Sequence, residues 1–191
     1  MATKWVFLLA LLAFAPSAQA LELFAKGSYS KYYYDLSTWE ENITGSGGLA
    51  LGLTKGIRLE ARSTYIQKLE NQIEIIVGGN PVNISSRTTK QLIYSLGVDV
   101  DLLGSKSSFQ PYLYFGAGII QYATSYKMVD AADINSLVTQ KYSGNVGLGF
   151  RWMLGRTMAL ELEAMGYATD IDKPQPLINT LITAGLRLFI G

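Results

Sequence analysis

The stretch IRLEARSTYIQKLE, from Ile57 to Glu70, alternates between two kinds of residue with a period of two. Arg58, Glu60 and Arg62 occupy even positions, and the residues between them are apolar. A β-strand sends successive side chains to opposite faces, so this strand would have one charged face and one apolar face. The fold depends on which of the two faces lies inside the protein.

Seven further stretches alternate in the same way, which makes eight candidate strands. They begin near Leu21, Gly45, Gln91, Tyr112, Tyr142, Met158 and Ile178. Each is about ten residues or longer, and a transmembrane strand needs roughly 9–11 residues. An even number of antiparallel strands can close into a barrel with no exposed edge. The sequence therefore predicts an all-β fold, an eight-stranded antiparallel up-and-down transmembrane β-barrel.

The connections between these strands also alternate in length. The short ones are 54–56, 103–108 and 154–156, and the longer or more polar ones lie around 35–42, 69–88, 124–141 and 169–177. Short periplasmic turns and longer outer loops are typical of bacterial outer-membrane barrels. The spacing therefore favours a membrane barrel.

A soluble barrel is the alternative, because it would use the same alternation with its apolar face turned inward. The opposite faces, however, mix charges with Gly, Ser and Asn, which would fill a dry core poorly, whereas the apolar faces are nearly uninterrupted. Aromatic residues gather near the strand ends, as at Tyr29, Tyr65, Tyr142 and Trp152. Membrane barrels carry such girdles at both interfaces. We therefore expect the apolar faces to contact lipid.

The end of the chain, TAGLRLFI, carries a further pattern. Thr183, Gly185, Leu188 and Ile190 occupy the polar, glycine and two hydrophobic positions that resemble the last-strand assembly signal of bacterial outer-membrane proteins. The family usually ends on an aromatic residue, whereas this chain ends Ile190-Gly191.

Two internal segments, QPYLYFGAGI (110–119) and GNVGLGFRW (144–152), look like central strands of the same family. The chain after residue 20 thus resembles the small outer-membrane barrel family that includes the OmpA-type transmembrane domain and OmpX-type proteins. The resemblance implies delivery to the bacterial outer membrane by the barrel-assembly machinery. Outer-membrane lipid and lipopolysaccharide are the expected surroundings.

The first twenty residues have the features of a secretory signal peptide. Lys4 supplies the basic start, an apolar run extends from Trp5 to Ala15, and Ala18-Gln19-Ala20 precedes Leu21. This run is too short for a membrane helix, which needs about 20 apolar residues. We expect cleavage after Ala20, which leaves a single barrel domain over residues 21–191. The net charge of +1 gives no indication of a nucleic-acid partner.

In a membrane barrel the charged faces point into the lumen. Four arginines and five carboxylates then form one layer: Arg58, Glu60, Arg62, Asp99, Asp101, Arg151, Glu161, Glu163 and Arg187. An eight-stranded barrel is only wide enough for side chains, and buried charges must be paired there. The sequence predicts an ion-paired plug, with a narrow porin-like channel for small solutes or ions as the alternative.

The turn signal Gly78-Gly79-Asn80-Pro81 suggests a register for this layer. If Val77 pairs with Val82, Arg58 lies opposite Asp101 and Glu60 lies opposite Asp99. The second pair is like-charged, so it would need Arg58 or Arg62 beside it.

Enzymatic activity is not expected. The chain has no histidine and no cysteine, which excludes Ser/His and Cys/His catalysis and typical zinc sites. Asp99/Asp101 and Glu161/Glu163 are carboxylate pairs at roughly 7 Å along a strand, a spacing that overlaps that of inverting glycosidases. Neighbouring arginines and a narrow lumen favour an ion network instead. No cofactor and no metal site is predicted.

A long hairpin over residues 65–94 would overshoot the bilayer. Its apolar positions are Ile73, Ile75, Val77, Val82 and Ile84, which either meet a protein partner or lie against lipid or a neighbouring loop. The predicted function is therefore that of a structural or surface-interaction protein, acting through its outer loops and this hairpin. Loop acids that are candidates for binding cations or lipopolysaccharide are Asp130, Asp133, Asp170 and Asp172.

Overall fold

A computed structural model of the protein describes residues 21–34, 38–77, 80–103, 107–128, 134–135, 138–169 and 177–190. Within residues 72–83 the backbone pairing alone is described. No helix in these ranges is long and apolar enough to cross a bilayer. The signal-peptide prediction and the four loop acids fall outside the described residues.

Nearly all of the described chain is β-strand. The strands are β1 (Leu21–Tyr33), β2 (Trp39–Thr54), β3 (Ile57–Val77), β4 (Asn80–Asp101), β5 (Phe109–Met128), β6 (Ile134–Asn135), β7 (Thr139–Met153), β8 (Met158–Thr169) and β9 (Leu177–Ile190). The two-residue β6 adds to the edge of β5 near its end, and the other eight strands are long.

The eight long strands form a closed ring. Each pairs antiparallel with its neighbours along the chain, and β1 pairs with β9 to close the circle. The predicted eight-stranded antiparallel up-and-down barrel is confirmed. We call the end where Leu21 and Ile190 meet the terminal end, and the end where β3 turns into β4 the hairpin end.

The predicted short connections lie at the terminal end, where Gly56 turns the chain with a φ of 90°, a conformation that glycine adopts without strain. At the hairpin end the strands are longer than the alternation indicated. Strand β2 already begins at Trp39 and β5 continues to Met128, so both take in polar residues that we expected in loops. The ladder to a neighbouring strand satisfies their backbone groups, whatever the side chains are.

The register between β3 and β4 differs from the predicted one by two residues. Val77 pairs with Asn80 instead of Val82, because the connection contains only Gly78 and Gly79. Two-residue hairpin loops are the commonest kind and suit glycine. As a result Arg58 lies opposite Asp99, and Glu60 lies opposite Gly97. The predicted ladder positions, with Asp101 opposite Arg58 and Asp99 opposite Glu60, are wrong, although the Arg58 and Asp101 side chains still form an ion pair at 2.8 Å.

The two faces of the barrel are inverted relative to a soluble protein. Outward-facing Leu148, Leu162 and Ile182 are 47%, 50% and 63% exposed, whereas inward-facing Arg151 and Arg187 are fully buried. An apolar belt that surrounds a polar interior is stable in lipid and would aggregate in water. The barrel therefore spans a membrane, and the soluble alternative is wrong.

Candidate functional site in the barrel lumen

All nine charged residues that the sequence placed in the lumen point into it, near the terminal end. Their side chains are at most 10% exposed. The strands that carry them are β3, β4, β7, β8 and β9. The period of two brings them together, because each lies at an inward position of its own strand.

Arg187 on β9 joins three strands at the centre of this cluster. Its Nε donates to Glu161 at 2.6 Å, its Nη1 donates to Glu22 at 2.8 Å, and its Nη2 donates to Glu60 at 2.9 Å. The planar guanidinium group offers donors in a fixed fork, so one arginine can hold several carboxylates. Arg187 thereby ties β9 to β8, β1 and β3.

Arg151 and Arg58 share the aspartates of β4. Arg151 donates to Asp101 at 2.6 Å and forms a second ion pair with Asp99. Arg58 donates to Asp101 at 2.8 Å and to Asp99 at 3.4 Å. Arg58 therefore reaches both aspartates, although only Asp99 lies directly opposite it in the ladder.

Arg62 makes the longest connection across the bore. Its Nη2 donates to Glu163 on β8 at 2.9 Å, and its Nε donates to Glu60 on its own strand at 2.8 Å. Lys26 on β1 donates to the same Glu163 at 2.9 Å, and so does the Tyr112 hydroxyl. These bonds join all the lumen charges near the terminal end into one network, which we call the ion layer.

Two members of the ion layer, Glu22 and Lys26, were not predicted from the sequence. Both are buried, at 3% and 4% exposure. They lie at even positions of β1, the same face as the other inward residues of that strand. The alternation alone could have identified them. With them the layer holds five cations and six carboxylates, a sum of −1.

Two tyrosine rings pack closely against guanidinium groups. Arg151 lies 3.9 Å from the centre of the Tyr112 ring, and Arg62 lies 4.2 Å from that of Tyr114. Such cation–π contacts strengthen when they are shielded from water. The Tyr114 ring fits because its neighbour is glycine: a Cβ at Gly97 would lie 2.6 Å from the ring.

An apolar layer lies on the hairpin side of the ion layer. Ile66, Ile93, Ile120 and Tyr167 form a buried cluster, and Tyr122 and Leu181 pack against it. Ile66 lies four residues beyond Arg62 on the same strand, roughly 13 Å farther along it. Apolar residues in the lumen were not expected from the sequence, because the alternation indicated inward faces that are polar throughout.

Some buried polar atoms of the lumen have no hydrogen-bond partner among the described residues of the protein, Asp101 Oδ2 in the ion layer among them. Ser143 Oγ, Thr169 Oγ1 and both side-chain polar atoms of Asn145 are buried without a hydrogen bond. Buried polar groups are normally paired with protein or ordered water.

The hairpin end of the lumen carries a smaller ion cluster. Lys68 contacts Glu40 at 2.9 Å and Glu70 at 3.4 Å, and Arg87 also binds Glu70. Beyond the end of β1, the negative charge of Glu40 raises the pKa of Tyr34, whose hydroxyl donates to it at 3.2 Å. The charges of this cluster are matched locally.

The carboxylate pairs considered for catalysis are occupied by cations. Glu161 binds Arg151 and Arg187, and Glu163 binds Arg62. In the described part of the chain, no group of His, Cys, Asp and Glu is arranged to hold a metal ion.

The remaining predicted residues lie outside the ion layer. Thr183 is buried in the lumen, whereas Leu188 and Ile190 are exposed on the outer face, 45% and 48%. Gly185 pairs with both Lys26 and Glu161 across its two neighbouring strands. In the hairpin, Ile73 pairs with Ile84, which is buried, and Ile75 pairs with Val82.

The chain is similar in fold to several solved outer-membrane barrels. The N-terminal β-barrel domain of Pseudomonas aeruginosa OprF is 16% identical, covers 91% of this chain and 98% of its own, and gives a TM-score of 0.48. Neisserial surface protein A is 14% identical, with 88% and 93% covered and a TM-score of 0.48. The Yersinia pestis attachment invasion locus protein Ail, solved with the heparin analogue sucrose octasulfate, is 10% identical, with 90% and 97% covered and a TM-score of 0.48.

No family model matches the chain, and no curated protein matches it. At these identities the likenesses concern the fold alone. The function is therefore inferred from the barrel's own residues.

Proposed function

We propose that the chain is a bacterial outer-membrane barrel with a closed lumen, which acts as a structural or surface-interaction protein. The observation that carries this proposal is the ion layer. Its side chains fill the bore, and among the described residues each charged group of the layer contacts at least one group of opposite charge.

The geometry of the ion layer supports closure. In the ring order of the strands, β3 and β8 lie four positions apart, which is directly opposite in an eight-membered ring. Arg62 and Glu163 bridge these two strands, and Arg187 and Glu60 bridge β9 and β3. Because the interior of an eight-stranded barrel is only just wide enough for side chains, bonds that cross the bore obstruct it. The apolar layer at Ile66 obstructs it a second time.

The location in the outer membrane rests on separate features. The apolar belt requires lipid, and bacterial barrels of this size keep short turns on the periplasmic side. The terminal end therefore faces the periplasm and the hairpin end faces outward. The resemblance of the last strand to an assembly signal, at Thr183, Gly185, Leu188 and Ile190, and the signal-peptide pattern agree with delivery by the barrel-assembly machinery.

The hairpin of β3 and β4 supports a role at the cell surface. The pairing of β3 with β2 ends at Glu70, whereas the pairing of β3 with β4 continues to Val77. Seven residues of β3 thus extend beyond β2, roughly 23 Å of strand. Among the residues that the structure describes, this projection is the candidate contact surface for a partner outside the cell.

The surface role is tested by adhesion of cells that carry the protein. We expect deletion of residues 73–85 to abolish adhesion, since the projection is removed while β4 loses only the Ile84–Met128 pair of its ladder with β5. A control variant keeps the full length of the hairpin but changes Ile73, Ile75 and Val77 to serine. It shows whether adhesion depends on how far the hairpin projects or on its apolar side chains. Adhesion that is unchanged by the deletion contradicts the surface role.

A narrow channel is the second candidate. The unpartnered polar atoms of Ser143, Asn145 and Thr169 favour it, because water would satisfy them. If the ion layer is the seal, neutralising Arg58 and Asp101 together should raise conductance. Conductance that does not respond to this double change argues against the seal.

A further inference from the structure

The barrel is not closed along its whole height. The ladder between β1 and β9 runs from Leu21–Ile190 to Gly27–Ala184 and stops there. Both strands continue: β1 pairs with β2 up to Tyr33, and β9 pairs with β8 up to Leu177. Ser28–Tyr33 and Leu177–Thr183, all within the described residues, therefore face each other as two unpaired edges. We call this gap the seam.

The seam opens towards lipid. On β9 the outward side chains of Ile178 and Ile182 are 72% and 63% exposed, and on β1 that of Tyr29 is 62% exposed. Apolar and tyrosine side chains of this exposure belong to the lipid-facing belt and its girdle. A molecule that crosses the seam therefore comes from the bilayer.

Unpaired strand edges in this position need hydrogen-bond partners. In hydrocarbon no water reaches the free N–H and C=O groups, and membrane barrels normally close completely for that reason. An occupant of the seam must therefore carry polar groups, in addition to any apolar part.

A cavity of about 600 Å³ lies behind the seam. Both edges line it, with Ser28 and Ser30 from β1 and Asn179 from β9. Ile66, Tyr167 and Leu181, members of the apolar layer, line it as well. The cavity thus combines hydroxyl and amide groups at the edges with an apolar wall, and its size suits a small ligand.

The charges in the cavity are already matched. Lys68 and Glu40 line it, and they bind each other at 2.9 Å. Lys68 also contacts Glu70 at 3.4 Å. An anionic or cationic ligand would have to break these pairs, whereas an uncharged polar group would not.

We propose that this cavity binds a single-chain amphiphile with an uncharged, hydroxyl- or amide-bearing head, which enters from the bilayer through the seam. The head bonds to Ser28, Ser30 and the free backbone groups of the two edges. The chain packs against Ile66, Tyr167 and Leu181. The lumen beneath stays closed by the ion layer, so this is a binding site and not a passage across the membrane.

The test uses tryptophan fluorescence in phosphatidylcholine vesicles. In a background with Trp39 and Trp152 changed to phenylalanine, single tryptophans are placed at Tyr29→Trp and Ile182→Trp, outward-facing positions at the mouth of the seam, one on each edge. Leu148→Trp, on the lipid face of β7, is the matched control. The probe is a monoacylglycerol with a brominated chain, which quenches tryptophan on contact.

We expect quenching at both seam positions to contain a part that saturates at a low mole fraction of probe, added to the proportional part from bulk lipid. At Leu148→Trp it should rise in proportion to the probe, because that position samples bulk lipid. Ser28→Phe, which fills the cavity, should remove the saturable part while heat-shifted gel mobility shows that the barrel is folded. Proportional quenching at all three positions overturns the site.

A second arm tests the head. The anion of the corresponding brominated fatty acid should bind at least about tenfold more weakly, since its charge finds no free cation. Equal affinity for the two probes overturns the assignment of an uncharged head. Neither result depends on the conductance of the lumen, so the site and the closed barrel can fail separately.

Discussion

Glu161 shows how single residues hold the lumen together. It accepts hydrogen bonds from Arg151 at 2.7 Å and from Arg187 at 2.6 Å, and Lys26 lies 3.5 Å away. Removing one member of a buried ion pair leaves the others uncompensated, which costs more than the pair itself contributes. The residues of the ion layer therefore stabilise the fold mainly by satisfying one another.

The first prediction concerns this residue. Glu161→Gln should lower the free energy of unfolding by about 3–5 kcal/mol, because two arginines lose their shared charge partner. Urea unfolding of the barrel in phospholipid vesicles measures the change. The control is Glu41→Gln, whose partner Lys31 lies 3.8 Å away at the surface and whose loss should cost under about 1 kcal/mol. Equal costs for the two variants would mean that the ion layer is not a buried network.

Gly97 leaves room for the Tyr114 ring, and this contact can be tested by substitution. A methyl group at Gly97 would lie 2.6 Å from the Tyr114 ring, which packs on Arg62. Gly97→Ala should therefore destabilise the barrel by about 1–3 kcal/mol through overpacking. Gly144→Ala is the control, since nothing lies within 4 Å of its Cβ position. The same urea titration compares them, and a Gly97→Ala variant as stable as Gly144→Ala contradicts the packing.

At the scale of the elements, β1 and β9 differ from the other long strands. β1 pairs with β2 along its whole length and β9 pairs with β8 from Leu177 to Leu188, yet both strands continue beyond the ladder that joins them to each other. The sequence could not reveal this, because both strands keep their alternation beyond Gly27 and Ala184, where the pairing stops. Alternation reports which face a residue is on, and not whether its backbone has a partner.

The seam makes a prediction for hydrogen exchange. Within Ser28–Tyr33, the amides that point towards β9 should exchange faster than those that point towards β2, because only the latter are bonded. In Leu21–Gly27 both sets should be protected. NMR of the barrel in micelles resolves individual amides. Uniform protection from Leu21 to Tyr33 would mean that the seam is closed.

The β3–β4 hairpin differs from the seam, because its two strands stay paired with each other where they project from the barrel. Its register could not be predicted correctly from Gly78-Gly79-Asn80-Pro81, because the motif allowed a four-residue or a two-residue connection. The length of the connection shifts every β3–β4 pair by two residues. A shift of two keeps each side chain on the same face of the sheet, inward or outward. The nine charged residues therefore still point into the lumen, although the ladder places Asp99 and Gly97, and not Asp101 and Asp99, opposite Arg58 and Glu60.

The projection of the hairpin gives a stability prediction. Deleting residues 73–85 should change the unfolding midpoint of the barrel only slightly, because β3 pairs with β2 only up to Glu70 and β4 loses only the Ile84–Met128 pair with β5. Thermal loss of heat-shifted gel mobility measures it. A large drop would show that the projection is part of the barrel's folding unit.

At the scale of the whole molecule, the same alternation has two consequences. It surrounds the barrel with an apolar belt, and it forces charged residues into a narrow bore. The charges at Arg58, Glu60 and Arg62 in the opening stretch are tolerated inside because other strands bring their partners to the same height. The barrel fold was predictable from this period of two. The apolar layer could not be predicted in this way, because Ile66, Ile93 and Ile120 interrupt inward faces that are otherwise polar.

The closed lumen is tested most directly by single-channel recording of the mature chain in a planar bilayer, with heat-shifted mobility to confirm folding. An ion-paired bore with an apolar layer behind it predicts little or no steady current from the unaltered barrel. The variant in which Arg58 and Asp101 are both neutralised is the matched comparison and should conduct more. A stable current from the unaltered barrel that scales with salt would contradict the closed lumen and make its arginines selectivity residues of a pore.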